Sequence, residues 1–109
     1  MIKLQDKIRL QIKDGDETLV RAEFIVKKLK KKQQRKIQEQ LQSVQELVED
    51  DAIEALDILE EVSKERFYET VTGDEEDINK LIEFAEDYGY TLLMQTIDEE
   101  IEKSRSKGK

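Results

Sequence analysis

Histidine, cysteine, proline and tryptophan are all absent from this 109-residue sequence, and glycine occurs only four times. Each absence removes a class of chemistry. Without histidine there is no imidazole to act as a general base near neutral pH, and Ser43, Ser63, Ser104 and Ser106 lack the partner a Ser-His nucleophile requires. Without cysteine there are no disulfides and no thiolate metal ligands, which makes an intracellular location the expectation. No Pro-, Gly- or Ser-rich linker divides the chain, and no internal repeat is evident. Long apolar runs are missing as well: those present span a few residues, such as Phe24-Ile25-Val26, against the ~20 that a membrane-spanning helix needs. The opening MIKLQDKIRL is charged at almost every second or third position, so no signal-peptide h-region fits there.

What the sequence has in excess is charge. Charged residues make up 42% of it and hydrophobic residues 37%, with a formal net charge of −8. The length fits one domain, residues 1–109, around one core, and an average domain of this size buries roughly 65% of the surface of its unfolded chain. The apolar residues are periodic rather than sparse, which favours an ordered fold.

From Ile2 to Val26 the period is two. Ile8, Leu10 and Ile12 alternate with Arg9, Gln11 and Lys13, and Val20, Ala22, Phe24 and Val26 alternate with Arg21, Glu23 and Lys27. Asp14-Gly15-Asp16 lies between them, so residues 1–27 read as a β-hairpin with one buried and one wet face. A lone hairpin is marginal in water, so the buried face is expected to pack on helices.

From about Leu29 to residue 103 the period becomes helical. Ile37, Leu41, Val44 and Val48, widened by Leu47, mark a first helix ending at Glu49-Asp50-Asp51. Asp50 or Asp51 then caps a second helix with two apolar rows, Ala52, Leu56, Leu59 and Ala55, Ile58, Val62, a face broad enough for two neighbours. Ser63 to Gly73 fits either a continuation of that helix or an irregular packed loop. Thr72 with Glu75, or Asp74 with Asp77, opens a third helix carrying Ile78, Leu81, Ile82 and Ala85 and stopping near Gly89. A fourth, with Thr91 as a candidate cap, carries Tyr90, Met94, Ile97 and Ile101, and the polar end 104–109 is expected to fray. The fold expected is α+β and mostly α: an N-terminal hairpin packed on a bundle of about four helices.

Charge is segregated along this order. Residues 1–38 hold 12 basic and 5 acidic side chains, net +7, whereas residues 39–109 hold 7 and 22, net −15. Opposite poles of this kind steer encounter between copies, so head-to-tail self-association is expected, weakening with salt.

Few constellations carry chemistry. Asp50, Glu54, Asp57 and Glu61 form a carboxylate ladder, but a di-iron bundle needs histidine, and neither DGDE nor TGDEED has the ligand spacing of a calcium loop. A solvated helix face is the simpler account of the ladder. No glycine-rich phosphate cradle and no nucleophile elbow is present, so neither an enzyme nor a cofactor is expected. The run VKKLKKKQQRK, Val26 to Lys36, places seven cations without an anion; in helical phase Lys28, Lys32, Arg35 and Lys36 fall near one side. They could touch phosphates across Lys27 to Lys36, yet the acidic remainder repels nucleic acid and no aromatic is interleaved. A solvated helix start, or a surface for self-association or docking, competes with that reading. Tyr88, Tyr90, Leu92, Leu93 and Met94 are denser than one helix face needs: they fit either core packing or a groove for an apolar helix from another protein.

Read in order, the strand pair ending in VRAEFIVKKLKKKQQRKI, the helix pair around DDAIEALDILEEV, the aromatic junction RFYETVTG and the closing EEDINKLIEFAEDYGYTLLMQTIDEEIEK resemble the small tail assembly chaperones of long-tailed bacteriophages and prophages. The likeness is one of layout and length. It implies a cofactor-free adaptor in the bacterial cytoplasm that self-associates and binds the helical tape measure protein until the tail tube polymerises. It also implies a longer frameshifted form, with which the lysine-rich SRSKGK is compatible. A nucleic-acid-binding or regulatory protein and a structural virion subunit are the alternatives.

Overall fold

The computed structural model describes residues 5–47 and 51–107, with side chains placed as far as residue 104. The period-two segments form strands β1 (Gln5–Asp14) and β2 (Glu17–Lys27), paired antiparallel with Ile8 opposite Phe24 and Leu10 opposite Ala22. Gly15-Asp16 connects them, and Gly15 takes φ 63°, the positive value that a two-residue hairpin turn with glycine first requires. The register slips between Ile12 and Lys13, leaving Leu19 as the extra residue of a bulge in β2. Ile8, Leu10, Val20, Ala22, Phe24 and Val26 are buried on one face, as their alternation predicts. The other face carries Lys7, Arg9, Lys13, Arg21 and Lys27, all exposed, with Glu23 paired to Arg9 at 2.6 Å.

Four helices follow: α1 (Lys31–Leu47), α2 (Ala52–Thr70), α3 (Glu75–Tyr88) and α4 (Tyr90–Lys107). The first starts later than the expected Leu29. Lys30 is its boundary residue, its carbonyl accepting the first helical bond from Gln34, while its own N–H donates to the Gln33 side chain at 3.0 Å. Gln33 thus supplies the returning half of a capping box. Lys28 consequently lies in the connection before the helix, not on the helical face with Lys32, Arg35 and Lys36. Val48, Glu49 and Asp50 lie outside the described residues, and Asp51 is the cap of α2, accepting the Glu54 N–H at 3.0 Å.

The segment with no clear period resolves into two elements. Helix α2 continues to Thr70, and Val71–Thr72 forms a short strand, β3, antiparallel to the end of β2. The sheet order is therefore β1-β2-β3. Asp74 begins α3 without a side-chain cap bond, so the expected Asp74/Asp77 box is unused. Three acidic residues in the first turn, Glu75, Glu76 and Asp77, favour the positive helix end instead. Gly89, at φ 104°, is the entire joint between α3 and α4; its N–H bonds the Ala85 carbonyl and its carbonyl accepts from Leu93. The last helix runs on to Lys107, into the segment expected to fray.

Helix α3 covers β2 and α4 covers β1, so the sheet's apolar face closes against Leu81, Phe84, Ala85, Leu93, Met94 and Ile97. Phe67 of α2 and Val71 of β3 complete this core. Each fully buried Leu or Ile contributes about 1.5–3 kcal/mol. Helix α1 stands outside it: Val44 is its one buried residue, and α1 packs on α2. The architecture is mostly helical α+β, a hairpin packed against four helices. No helix among the described residues is long and apolar enough to cross a membrane.

Candidate functional site

Helices α2 and α4 run side by side in the same direction. Arg66 and Asp98 form an ion pair between them, and one turn and a half earlier Glu60 meets the first residues of α4. The Glu60 carboxylate accepts the backbone N–H groups of Tyr90 and Thr91 and the Thr91 hydroxyl, the last at 3.2 Å. A side chain from another helix therefore caps α4. Thr91, expected as the cap, is instead inside the first turn, because Gly89 leaves no extended residue between the helices.

This contact also fixes where α4 begins relative to α2. The residues Ala52 to Leu59 precede the contact and project past the end of α4, about 12 Å of helix at 1.5 Å per residue. Their neighbour is the C-terminal half of α1. The two apolar rows read in α2 do meet two neighbours, but only in part. Ala55 and Val62 are buried, whereas Leu56 is 65% and Ile53 75% exposed. Leu56 sits on the same side of α2 as Ser63 and Phe67, which face the core further along, so its row simply outruns the helix that would have covered it. Leu41 of α1 is exposed as well, and Leu47, Ile58 and Leu59 are half-buried. Isolated apolar side chains on a surface are ordinary, whereas here Leu41, Ile53 and Leu56 are all exposed on one helix pair.

The rim of this tip has one sign. From Ile37 to Ser63 the chain has no lysine or arginine. Glu39, Glu46, Asp51, Glu54, Asp57 and Glu61 are exposed there, the ladder Glu54, Asp57 and Glu61 running along one side of α2; Asp50 lies outside the described residues. Among the described residues no group of three or more acidic side chains is placed to hold a metal ion.

The aromatic cluster near α4 divides in two. Leu93 and Met94 are core residues at 0% and 2% exposure, and Tyr90 is buried beside Phe67, their ring centroids 5.6 Å apart. Tyr88 and Leu92 are exposed, Tyr88 lying on the Phe84 ring at 4.9 Å. The five residues therefore do not line one groove. Exposed Tyr68 of α2 joins this junction, its hydroxyl 3.4 Å from that of Tyr90, with the Lys64 ammonium 5.8 Å over the Tyr90 ring. Burial, then the Tyr68 hydroxyl and the carboxylates of Glu86 and Glu60, push the Tyr90 phenol well above the usual tyrosine range.

The cationic candidates are also separated. Lys32, Arg35 and Lys36 are exposed on α1, Lys36 lying 3.9 Å from Glu65 of α2. Lys28 borders a cleft with Asp6, Gln34, Arg66, Thr70 and Asp98. The hairpin's wet face carries further exposed cations, Lys7, Arg9, Lys13, Arg21 and Lys27, while most of the exposed acids are on α2, α3 and α4.

The chain was compared with protein-family models, with curated proteins and with solved structures, and nothing matches in any of the three.

Proposed function

We propose that this protein is a non-enzymatic tail assembly chaperone that binds the helical tape measure protein of a phage in the bacterial cytoplasm and keeps it soluble until the tail tube polymerises. The observation that carries the reading is the overhang: Leu41, Ile53 and Leu56 stand exposed on a helix pair that projects beyond its own core. A long helix with an apolar stripe aggregates unless a soluble partner covers it, and a projecting apolar tip on a molecule that is 42% charged suits that task. Self-association through the basic hairpin face and the acidic helices belongs to the same proposal. Tyr88 and Leu92, exposed on either side of Gly89 in the chain, offer a secondary contact.

Co-expression with any tape measure protein encoded next to this chain is the test. The proposal expects a soluble complex, and an insoluble tape measure with no co-purifying chaperone would remove it. One observation favours a second reading, nucleic-acid binding: Lys7, Arg9, Lys13, Arg21 and Lys27 are exposed on the hairpin's wet face, in addition to the cations of the run Lys27 to Lys36. A gel shift at low salt decides it, since binding of this type is strongest there. A structural virion subunit differs from a chaperone in remaining in the finished particle, which particle proteomics reads directly.

A further inference from the structure

We infer that the α1–α2 tip selects one charge class of partner: an amphipathic helix whose apolar stripe is flanked by lysine and arginine. The inference rests on the tip being the docking surface and adds what that surface accepts.

Two features of the tip act together. Ile53 and Leu56 offer apolar contact at 75% and 65% exposure, and every charged side chain from Ile37 to Ser63 is an acid. An acidic helix laid on Ile53 and Leu56 would bring its flanking carboxylates against Glu54 and Asp57, whose nearest cation along α2 is Lys64, two turns beyond Asp57. Like charges brought together in this way are a means of rejecting partners, whereas Lys or Arg flanks turn the same rim into attraction. The rim sets which helix is accepted; the apolar contact holds it.

A second copy of this chain supplies only half of that requirement. Its basic pole carries the cations, but among the described residues the exposed large apolar side chains are Leu41, Ile53, Leu56, Tyr68, Tyr88 and Leu92, and none of these lies on the hairpin's wet face or at the start of α1. Within the cationic run Val26 is buried and Leu29 partly buried, and Ile37, just after it, is partly buried as well. The occupant that satisfies both features is therefore a foreign cationic amphipathic helix.

The test uses the full-length protein and three labelled synthetic peptides, read by fluorescence anisotropy. One has an apolar stripe at i, i+3, i+4 and i+7 with Lys/Arg flanks, the second has the same stripe with Glu flanks, and the third is a scramble of the cationic peptide. The expected result is at least about tenfold tighter binding of the cationic helix than of either other peptide at low salt. The gap should narrow in about 1 M salt, where the screening length falls to about 3 Å. Ile53→Ser/Leu56→Ser should weaken the cationic helix at least about tenfold, and Glu54→Lys/Asp57→Lys should reverse the preference. Equal binding of the two stripes overturns the charge selection and leaves the docking reading intact. Binding of neither overturns both, equal binding of the scramble reduces the site to charge alone, and loss of self-association in Ile53→Ser/Leu56→Ser would show the tip to be a contact between copies.

Discussion

Glu60 of α2 holds the backbone N–H of Tyr90, 30 residues further along the chain, and so sets the point at which α4 begins beside α2. The carboxylate satisfies two of the four N–H groups that every helix leaves open at its start and puts negative charge at the positive end of the helix dipole. Because α4 starts here and no earlier, the first two turns of α2 lie beyond it, with Ala55 buried but Ile53 and Leu56 exposed. Stability of the body and exposure of the tip thus depend on one contact.

Removing that cap has a measurable cost. Glu60→Ala should destabilise the fold by about 0.5–2 kcal/mol, the range of lost N-caps, and Glu60→Gln, which keeps an acceptor and loses the charge, by less. Urea unfolding reads the order directly. An unchanged midpoint in Glu60→Ala would show that water replaces the carboxylate without loss.

The core and the tip should respond oppositely to the same substitution. Leu93→Ala, at a site with 0% exposure, is expected to cost about 2–5 kcal/mol, a large part of the stability of a small domain. Leu56→Ala, at 65% exposure, should stay within about 0.5 kcal/mol of wild type. Equal losses at the two positions in urea unfolding would mean that α4 or another element covers Leu56.

Most of the scaffold was legible because its signals are local. Strict alternation in Ile8-Leu10-Ile12 and Val20-Ala22-Phe24-Val26 specified a hairpin and its buried face, and Asp51 and Gly89 marked helix ends by chemistry that depends on a few neighbours. What escaped was set by distant partners. Val71–Thr72 is a strand only because the edge of β2 lies beside it, and Glu60 reveals no capping role within its own helix. The tip was unreadable for the same reason: Leu56 keeps helical spacing with Leu59 and Ala52 whether or not α4 reaches it. Likewise, periodicity could not separate buried Leu93 and Met94 from exposed Leu92 and Tyr88 without knowing that α4 lies on β1.

Alkaline pH should find Tyr90. Its phenol is held above the ordinary value of 10.0 chiefly by burial, so the folded state keeps a proton that the unfolded state releases. The contribution of Tyr90 to stability is then complete below pH 10 and declines as pH rises above it. Tyr90→Phe should therefore lose less stability than wild type between neutral pH and strongly alkaline pH, in parallel urea titrations. Parallel curves for the two proteins would place the tyrosine in water.

Charge segregation predicts assembly that salt dissolves. Reversing Lys28, Lys32 and Lys36 to Glu should lower the sedimenting mass at low ionic strength, as should added salt in wild type. The fold itself should hardly change, since the one ion pair lost among the described residues, Lys36 with Glu65, is exposed and 3.9 Å long. Identical sedimentation of the variant and wild type would leave the cationic run a solvated helix start.

The most direct test of the docking surface is the soluble fraction of a co-expressed tape measure protein, compared between wild type and Ile53→Ser/Leu56→Ser. Both positions are mostly exposed, so the variant should retain its unfolding midpoint. The account predicts a several-fold loss of soluble tape measure with the variant. Equal solubility with both proteins would contradict it.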